Sequence, residues 1–160
     1  MNETYLIGEI GQNHNGSVDI AKLIVDAASR EVEEQLFGLT LNGMDAVKLT
    51  KRDLKYELSD YQMRRPYDTP NSFGNTYGAH REVLELSDQE HLEVYKYAKA
   101  LGLDFVETLC APSCTSLLKH FSPDYLKVAS RDLTNLPLLE VLAETKLPII
   151  ISTGMAGEKE

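Results

Sequence analysis

Residues 5–16 read Tyr5-Leu6-Ile7-Gly8-Glu9-Ile10-Gly11-Gln12-Asn13-His14-Asn15-Gly16. An apolar run passes abruptly into a polar loop punctuated by glycine. Buried strands of parallel sheets begin in this way, and functional loops follow them in this way. Glu9 interrupts the apolar run, where an unpaired carboxylate would be costly. Two readings of it stand side by side. It is either part of a polar site at the end of the first strand, or a strand-end carboxylate capped by amides of the next turn.

The pattern repeats along the chain. A strand is predicted over residues 4–11, and Ser17 caps a helix carried by Ile20, Leu23, Ile24, Ala27 and Ala28. That helix is expected to run on through residues 31–37 to a turn at Asn42-Gly43. Ala46-Val47-Lys48-Leu49 is the second strand. Residues 52–82, with four tyrosines (Tyr56, Tyr61, Tyr67, Tyr77), Pro66, Pro70, Gly74 and Gly78, read as a long ordered loop that covers something. Ser87 with Glu90 forms a capping box, and the helix it opens stops at Gly102. Leu103–Thr108 is the third strand, Ser113–Phe121 a short helix, and Tyr125–Ala129 the fourth strand. Asn135-Leu136-Pro137 opens a further helix, and Pro148–Ser152 is the fifth strand.

Strict alternation of apolar strands with helices means a parallel α/β sheet. An open doubly wound sheet and part of a (β/α)8 barrel both satisfy it. A complete barrel needs about 250 residues, and the chain has 160. It stops at Gly157-Glu158-Lys159-Glu160, just after a strand. The expected fold is therefore a partial, truncated (β/α)8 TIM barrel of about five parallel strands and four helices.

Apolar content of 42% and charged content of 26% suit a globular domain. No run approaches the about 18 apolar residues of a membrane span, and no signal peptide is visible, so a cytoplasmic location is expected. Cys110 and Cys114, four apart, fit neither a zinc knuckle nor a disulfide framework. The net charge of −9 argues against nonspecific nucleic-acid binding.

Sites of parallel α/β folds lie at the carboxyl ends of the strands. Glu9 ends the first strand, with Asn13 and His14 beyond it; Lys48, Thr50 and Lys51 end the second. Glu107 and Thr108 end the third, and Lys127, Ser130, Arg131 and Asp132 the fourth. Ser152, Thr153 and Gly154 end the fifth. Lys48 and Lys127 lie within apolar strand sequence, where an unpartnered charge costs several kcal/mol. Two inward lysines with Ser130, Ser152, Thr153 and amides near Gly154 would hold a phosphate. Glu9 and Asp132 are then the candidate acid/base pair. In the competing reading, one lysine simply pairs with Glu9 or Asp132. His14, with no neighbouring ligands, reads as a hydrogen-bonded loop residue, and Arg131 and Lys51 as rim charges.

Glu9-Ile10-Gly11-Gln12-Asn13-His14-Asn15-Gly16, Asp45-Ala46-Val47-Lys48, Ser72-Phe73-Gly74-Asn75-Thr76-Tyr77-Gly78-Ala79-His80-Arg81, Tyr125-Leu126-Lys127-Val128-Ala129-Ser130 and Ile151-Ser152-Thr153-Gly154-Met155 together resemble the N-acetylneuraminate (sialic acid) synthase family. The resemblance implies a (β/α)8 barrel followed by a small antifreeze-like domain, working as a homodimer. It implies condensation of phosphoenolpyruvate with an N-acetyl hexosamine such as N-acetylmannosamine, with release of phosphate. A divalent metal, manganese or magnesium, would hold the open-chain aldehyde. Carried over by motif, Lys48, Lys127, Ser130, Ser152 and Gly154 would hold phosphoenolpyruvate, and Glu9 would face the sugar. Asp132 would serve sugar binding or proton transfer, and Thr50 and Tyr77 complete the expected substrate contacts. Many family members have Gln where this chain has Thr50. Residues around 32–40 are additional. Residues 1–160 would be the N-terminal half of the barrel, with 52–82 as an active-site loop. The metal-binding histidines, the rest of the barrel and the antifreeze-like domain would lie beyond Glu160, so this chain alone is expected to be inactive. A Schiff-base lysine aldolase and a non-catalytic remnant are the alternatives.

Overall fold

The computed structural model describes residues 4–157 and 159. Glu158 and Glu160, part of the expected chain end, lie outside the described residues. The strands are β1 (Ile7–Gly11), β2 (Val32–Glu34), β3 (Leu39–Leu41), β4 (Ala46–Lys51), β5 (Asp104–Leu109), β6 (Tyr125–Val128) and β7 (Ile149–Ile151). The helices are α1 (Val18–Ser29), α2 (Leu54–Glu57), α3 (Asp60–Arg64), α4 (Tyr77–Leu84), α5 (Asp88–Ala100) and α6 (Leu136–Glu144). Short 3-10 segments span Pro112–Lys119 and Ser130–Asp132. No helix among the described residues is long and apolar enough to cross a membrane.

Five strands form one parallel sheet in the order β1-β4-β5-β6-β7, as the alternation of elements requires. Register decides which side chains share a face, because successive residues point to opposite sides. Glu9 pairs with Lys48, Lys48 with Val106, Thr50 with Thr108, Thr108 with Lys127, and Lys127 with Ile150. One face therefore carries a row of polar side chains. The other carries Val47, Leu49, Phe105, Leu109, Leu126 and Val128, all buried in the main core. Against it pack Ala21 and Val25 of α1, Val94 and Ala98 of α5, Leu117, and Leu138 and Leu142 of α6. Tyr95 stacks on Phe121 at 4.5 Å, and Phe105 meets both rings edge-on.

The structure corrects four expectations. First, β1 is an edge strand: Tyr5, Leu6 and Ile7 are exposed and only Ile10 is fully buried. Its apolar character reflects one covered face, not two. Second, α1 ends at Ser29, and residues 32–34 and 39–41 form a separate antiparallel hairpin. Its tip is fixed by Glu34, whose carboxylate accepts from the amides of Leu36 and Phe37 at 2.8 and 2.7 Å. Third, residues 52–82 are not one continuous loop but carry three short helices, with residues 65–76 between the second and the third. Asp53, Ser59 and Thr76 each cap a short helix. Tyr67, Phe73, Tyr77 and His80 pack on one another, with centroids 4.7 Å apart for Tyr67 and His80. Fourth, Glu107 does not join the strand-end polar set. It points to the helix side, where His91 Nδ1 lies 3.0 Å from its Oε2, both fully buried. The Ser87–Glu90 capping box and the stop at Gly102 (φ +81) are as read from the sequence.

Candidate functional site

The polar row on the open face of the sheet borders a cavity of about 430 Å³ at the carboxyl ends of the strands. Glu9, Lys48, Thr50, Lys127, Ser130 and Ser152, all expected from the sequence, line it. Four different strands or their exits supply these residues, so the register of the sheet assembles the site.

Lys48 reaches Glu9 Oε2 at 2.7 Å and donates to Thr108 Oγ1 at 3.0 Å. The lysine side chain is 12% exposed and that of Glu9 55%. A pair this open contributes at most about 1 kcal/mol to stability. Its larger effect is to hold the ammonium in place and cancel one charge. The pairing of one lysine with Glu9 is thus realised at Lys48. Lys127 is different. It donates to Ser152 Oγ at 2.5 Å and to the Val128 carbonyl at 3.1 Å, and among the described residues it has no carboxylate partner. Burial, and then the charge of Lys48, hold its pKa below the ordinary lysine value, against the opposing pull of Glu9. An ammonium in that situation gains from an incoming anion.

Gly154 lies beside the cavity: a Cβ added there would sit 4.0 Å from the Ser130 Cβ. Asp132 and Tyr77 are not brought to the cavity wall. Ser130, Arg131 and Asp132 occupy one 3-10 turn, in which successive side chains project about 120° apart. Ser130 and Arg131 line the cavity, whereas Asp132 accepts from Arg131 Nε at 3.2 Å and from Asn135 Nδ2 at 3.4 Å. Tyr77 packs against Tyr67 at 5.5 Å and lies under the Arg81 guanidinium. His14 is a buried loop residue whose Nδ1 accepts from the Gly16 amide at 3.0 Å.

Sequence reasoning missed Arg52 and Cys110, and read Arg131 only as a rim charge; all three line the cavity. Burial pushes the Cys110 thiol up to about 11, so it is a neutral wall. Glu57 is what draws the arginines together. It accepts from Arg52 Nη1 at 2.9 Å and also from Arg131 Nη2, joining the exits of β4 and β6. Nothing in linear spacing announces a contact between residues 57 and 131.

A neighbouring cavity of about 620 Å³ is bounded by Lys51, Arg52, Asp53, Met63, Glu85 and Ser113. Its charges are largely engaged. Lys51 pairs with Asp88 at 2.8 Å, Asp53 accepts from Ser113 Oγ at 2.6 Å, and Glu85 accepts from Gln12 at 2.8 Å. Among the described residues no group of three or more His, Cys, Asp or Glu could hold a metal ion. Among the described residues, the only such side chains lining the polar cavity are Glu9, engaged by Lys48, and Cys110. These residues do not fit the divalent metal that the resemblance implies.

Comparison with known proteins agrees with this architecture. The chain is 32% identical over 151 residues to N-acetylneuraminate-9-phosphate synthase of Mus musculus, covering 94% of this chain and 39% of that protein. It is 33% identical over 162 residues to N,N'-diacetyllegionaminic acid synthase of Legionella pneumophila, covering 98% of this chain and 41% of that one. The chain thus spans about two fifths of the length of these curated relatives. The crystal structure of an N-acetylneuraminic acid (sialic acid) synthetase from Leptospira borgpetersenii superposes with a TM-score of 0.73 at 23% identity. It covers 99% of this chain and 47% of that one. A spore coat polysaccharide biosynthesis protein E from Chromobacterium violaceum gives 0.76 at 23% identity, over 98% and 43%. These two show the fold, a (β/α)-barrel-type α/β arrangement. A profile of the NeuB family matches residues 40–160, which take in β4 to β7 and their strand-end loops, and on that match the chain belongs to the NeuB family.

Proposed function

We propose that the cavity binds phosphoenolpyruvate and belongs to a synthase that condenses it with an N-acetyl hexosamine, N-acetylmannosamine or a relative, to give a nonulosonic acid and phosphate. The observation that carries the reading is the convergence of Lys48, Lys127, Ser130 and Ser152 on one cavity at the strand ends. The NeuB match and the synthase names of its relatives support it. The acceptor in this reading is the neutral, unphosphorylated amino sugar, whereas the mouse relative's name carries a 9-phosphate.

In this reading C3 of phosphoenolpyruvate attacks the aldehyde carbon of the open-chain sugar, whose oxygen takes a proton. Positive charge develops at C2, water adds there, and the tetrahedral intermediate expels phosphate to leave a 2-keto acid. Lys127 and Lys48 offset the charge of the leaving phosphate, and Ser130 and Ser152 offer directed hydroxyl donors. Glu9 keeps Lys48 oriented and stands at the sugar side. A divalent metal would supply Lewis-acid polarisation of the aldehyde, but the residues described at this cavity do not form its site. A homodimer and a cytoplasmic location belong to the same proposal, as does inactivity of this chain alone.

Titration of the 15N-labelled chain with phosphoenolpyruvate, followed by amide chemical shifts, tests the site. Shifts should cluster at residues 48, 127, 130 and 152, and Lys127→Met should weaken binding by about tenfold or more, the loss of a charge-assisted contact. Shifts elsewhere, or binding untouched by Lys127→Met, would refute the assignment. Phosphate release on adding N-acetylmannosamine and manganese would overturn the expected inactivity of this chain.

A second reading has one observation in its favour. The depressed pKa of Lys127 is what a Schiff-base nucleophile requires. Borohydride reduction in the presence of pyruvate, followed by mass spectrometry, separates the two. A stable adduct on Lys127 supports the aldolase, and an unmodified lysine supports the synthase.

A further inference from the structure

The wall of the cavity carries four cations, and they are not equivalent. At one end stand Lys48 and Lys127, with Glu9 paired to Lys48. Two positive charges against one negative leave that end at +1. At the other end stand Arg52 and Arg131. Glu57 Oε2 accepts from both, and Asp132 accepts from Arg131 Nε. Two positive charges against two negative leave that end neutral. The Glu57 side chain is only 7% exposed. It is a member of a four-residue helix and makes its two ion pairs to the exits of different strands. A carboxylate buried to this extent is costly unless its charge is used.

We propose that Glu57, assisted by Asp132, partitions the charge of the cavity: it cancels the two arginines so that only the lysine end captures an anion. The arginine end keeps its N–H donors but no net charge. Arg52 Nε and Glu57 Oε1 are buried there without a partner among the described residues, one a donor and the other an acceptor. Such an end suits a neutral polyhydroxylated co-substrate and discourages a second phosphate from occupying its place. Glu57 is on this account a positioning and specificity residue that touches neither substrate. The inference rests on the proposed function, in which an anionic donor and a neutral acceptor share the cavity.

The test is titration of the full chain with inorganic phosphate, comparing wild type with Glu57→Gln, Asp132→Asn and Lys127→Met. Both amide variants keep the size of the side chain and remove one negative charge from the arginine end. Each should bind phosphate more tightly, by roughly 3- to 10-fold, the effect of one charge acting across a partly wet cavity. Lys127→Met should bind it more weakly. A merely structural role for Glu57 would weaken binding or leave it alone, and would not strengthen it. If Glu57→Gln and Asp132→Asn bind no more tightly while Lys127→Met is still impaired, the partition is refuted and the phosphate site stands. If Lys127→Met is unimpaired, the reading of the cavity itself falls. If Glu57→Gln fails to fold, as judged by circular dichroism, Asp132→Asn decides.

Discussion

Gly16 closes the loop that follows Glu9, and its replacement by alanine has a cost that can be worked out. Its φ is +75, and a Cβ built there would lie 2.0 Å from the carbonyl oxygen of Val83 in α4. Side-chain carbons essentially never approach closer than 3.0 Å, so loop and helix must separate by about 3.0 − 2.0 = 1.0 Å. The left-handed backbone costs an L-residue about 1–2 kcal/mol. Forcing an overpacked contact apart costs about 1–3 kcal/mol more. The sum is about 2–5 kcal/mol, against a total stability of about 5–15 kcal/mol for a domain of ordinary stability. At about 2–4 °C per kcal/mol for a chain of this size, Tm should fall by about 4–20 °C. Gly102 is the internal control: its φ is +81, but a Cβ there meets nothing within 4 Å. Gly102→Ala should pay the backbone strain alone, about 1–2 kcal/mol. Thermal melts followed at 222 nm for both variants isolate the contact term. If Gly16→Ala costs no more than Gly102→Ala, the close approach of the Glu9 loop to α4 does not exist in solution. The same separation would strain the 2.8 Å hydrogen bond from Gln12 to Glu85, the other tie between that loop and the region of α4.

Three further outcomes are expected. Burial, then the charge of Lys48, depress the pKa of Lys127 below 10.5, so the unfolded chain binds its proton more readily than the folded chain. Stability therefore gains from this group as pH rises through its lowered folded value towards 10.5. Urea titrations across alkaline pH should show a steeper rise in wild type than in Lys127→Met, and equal slopes would refute the shift. Ser87→Ala removes the cap of α5 and its reciprocal bond with Glu90, and should cost about 1 kcal/mol in chemical denaturation. Phe105→Ala, at the centre of the Tyr95–Phe105–Phe121 cluster, should cost about 3–5 kcal/mol, and a loss below 1 kcal/mol would contradict the packing.

Long apolar strands and well-capped helices were legible without coordinates. Each carries its own signal, as at Ser87-Asp88-Gln89-Glu90 or Ala46-Val47-Lys48-Leu49. The candidate site was legible for a related reason. In a parallel sheet the strand ends converge, so Lys48, Lys127, Ser130 and Ser152 could be listed before their distances were known. The hairpin at 32–41 was not legible, because its strands are three residues each and the stretch Glu31–Leu36 reads equally well as a helix. Nor were α2 and α3, which span four and five residues, too few for a helical period to register.

What the sequence by itself determined is the order of elements, the parallel sheet, and the residue types delivered to its carboxyl edge. Those properties are local: they follow from periodicity, caps and the apolar character of each segment. What only the tertiary structure decided is which of those residues face one another. Glu107 belongs to the helix side because it precedes Thr108 by one residue and side chains alternate across a strand. Glu9 spends its charge on Lys48, leaving Lys127 as the ammonium without a carboxylate among the described residues. Glu57, Arg52 and Arg131 meet only because the exits of β4 and β6 converge over the sheet. Pairing across tens of residues depends on register and loop path, and no local signal carries it.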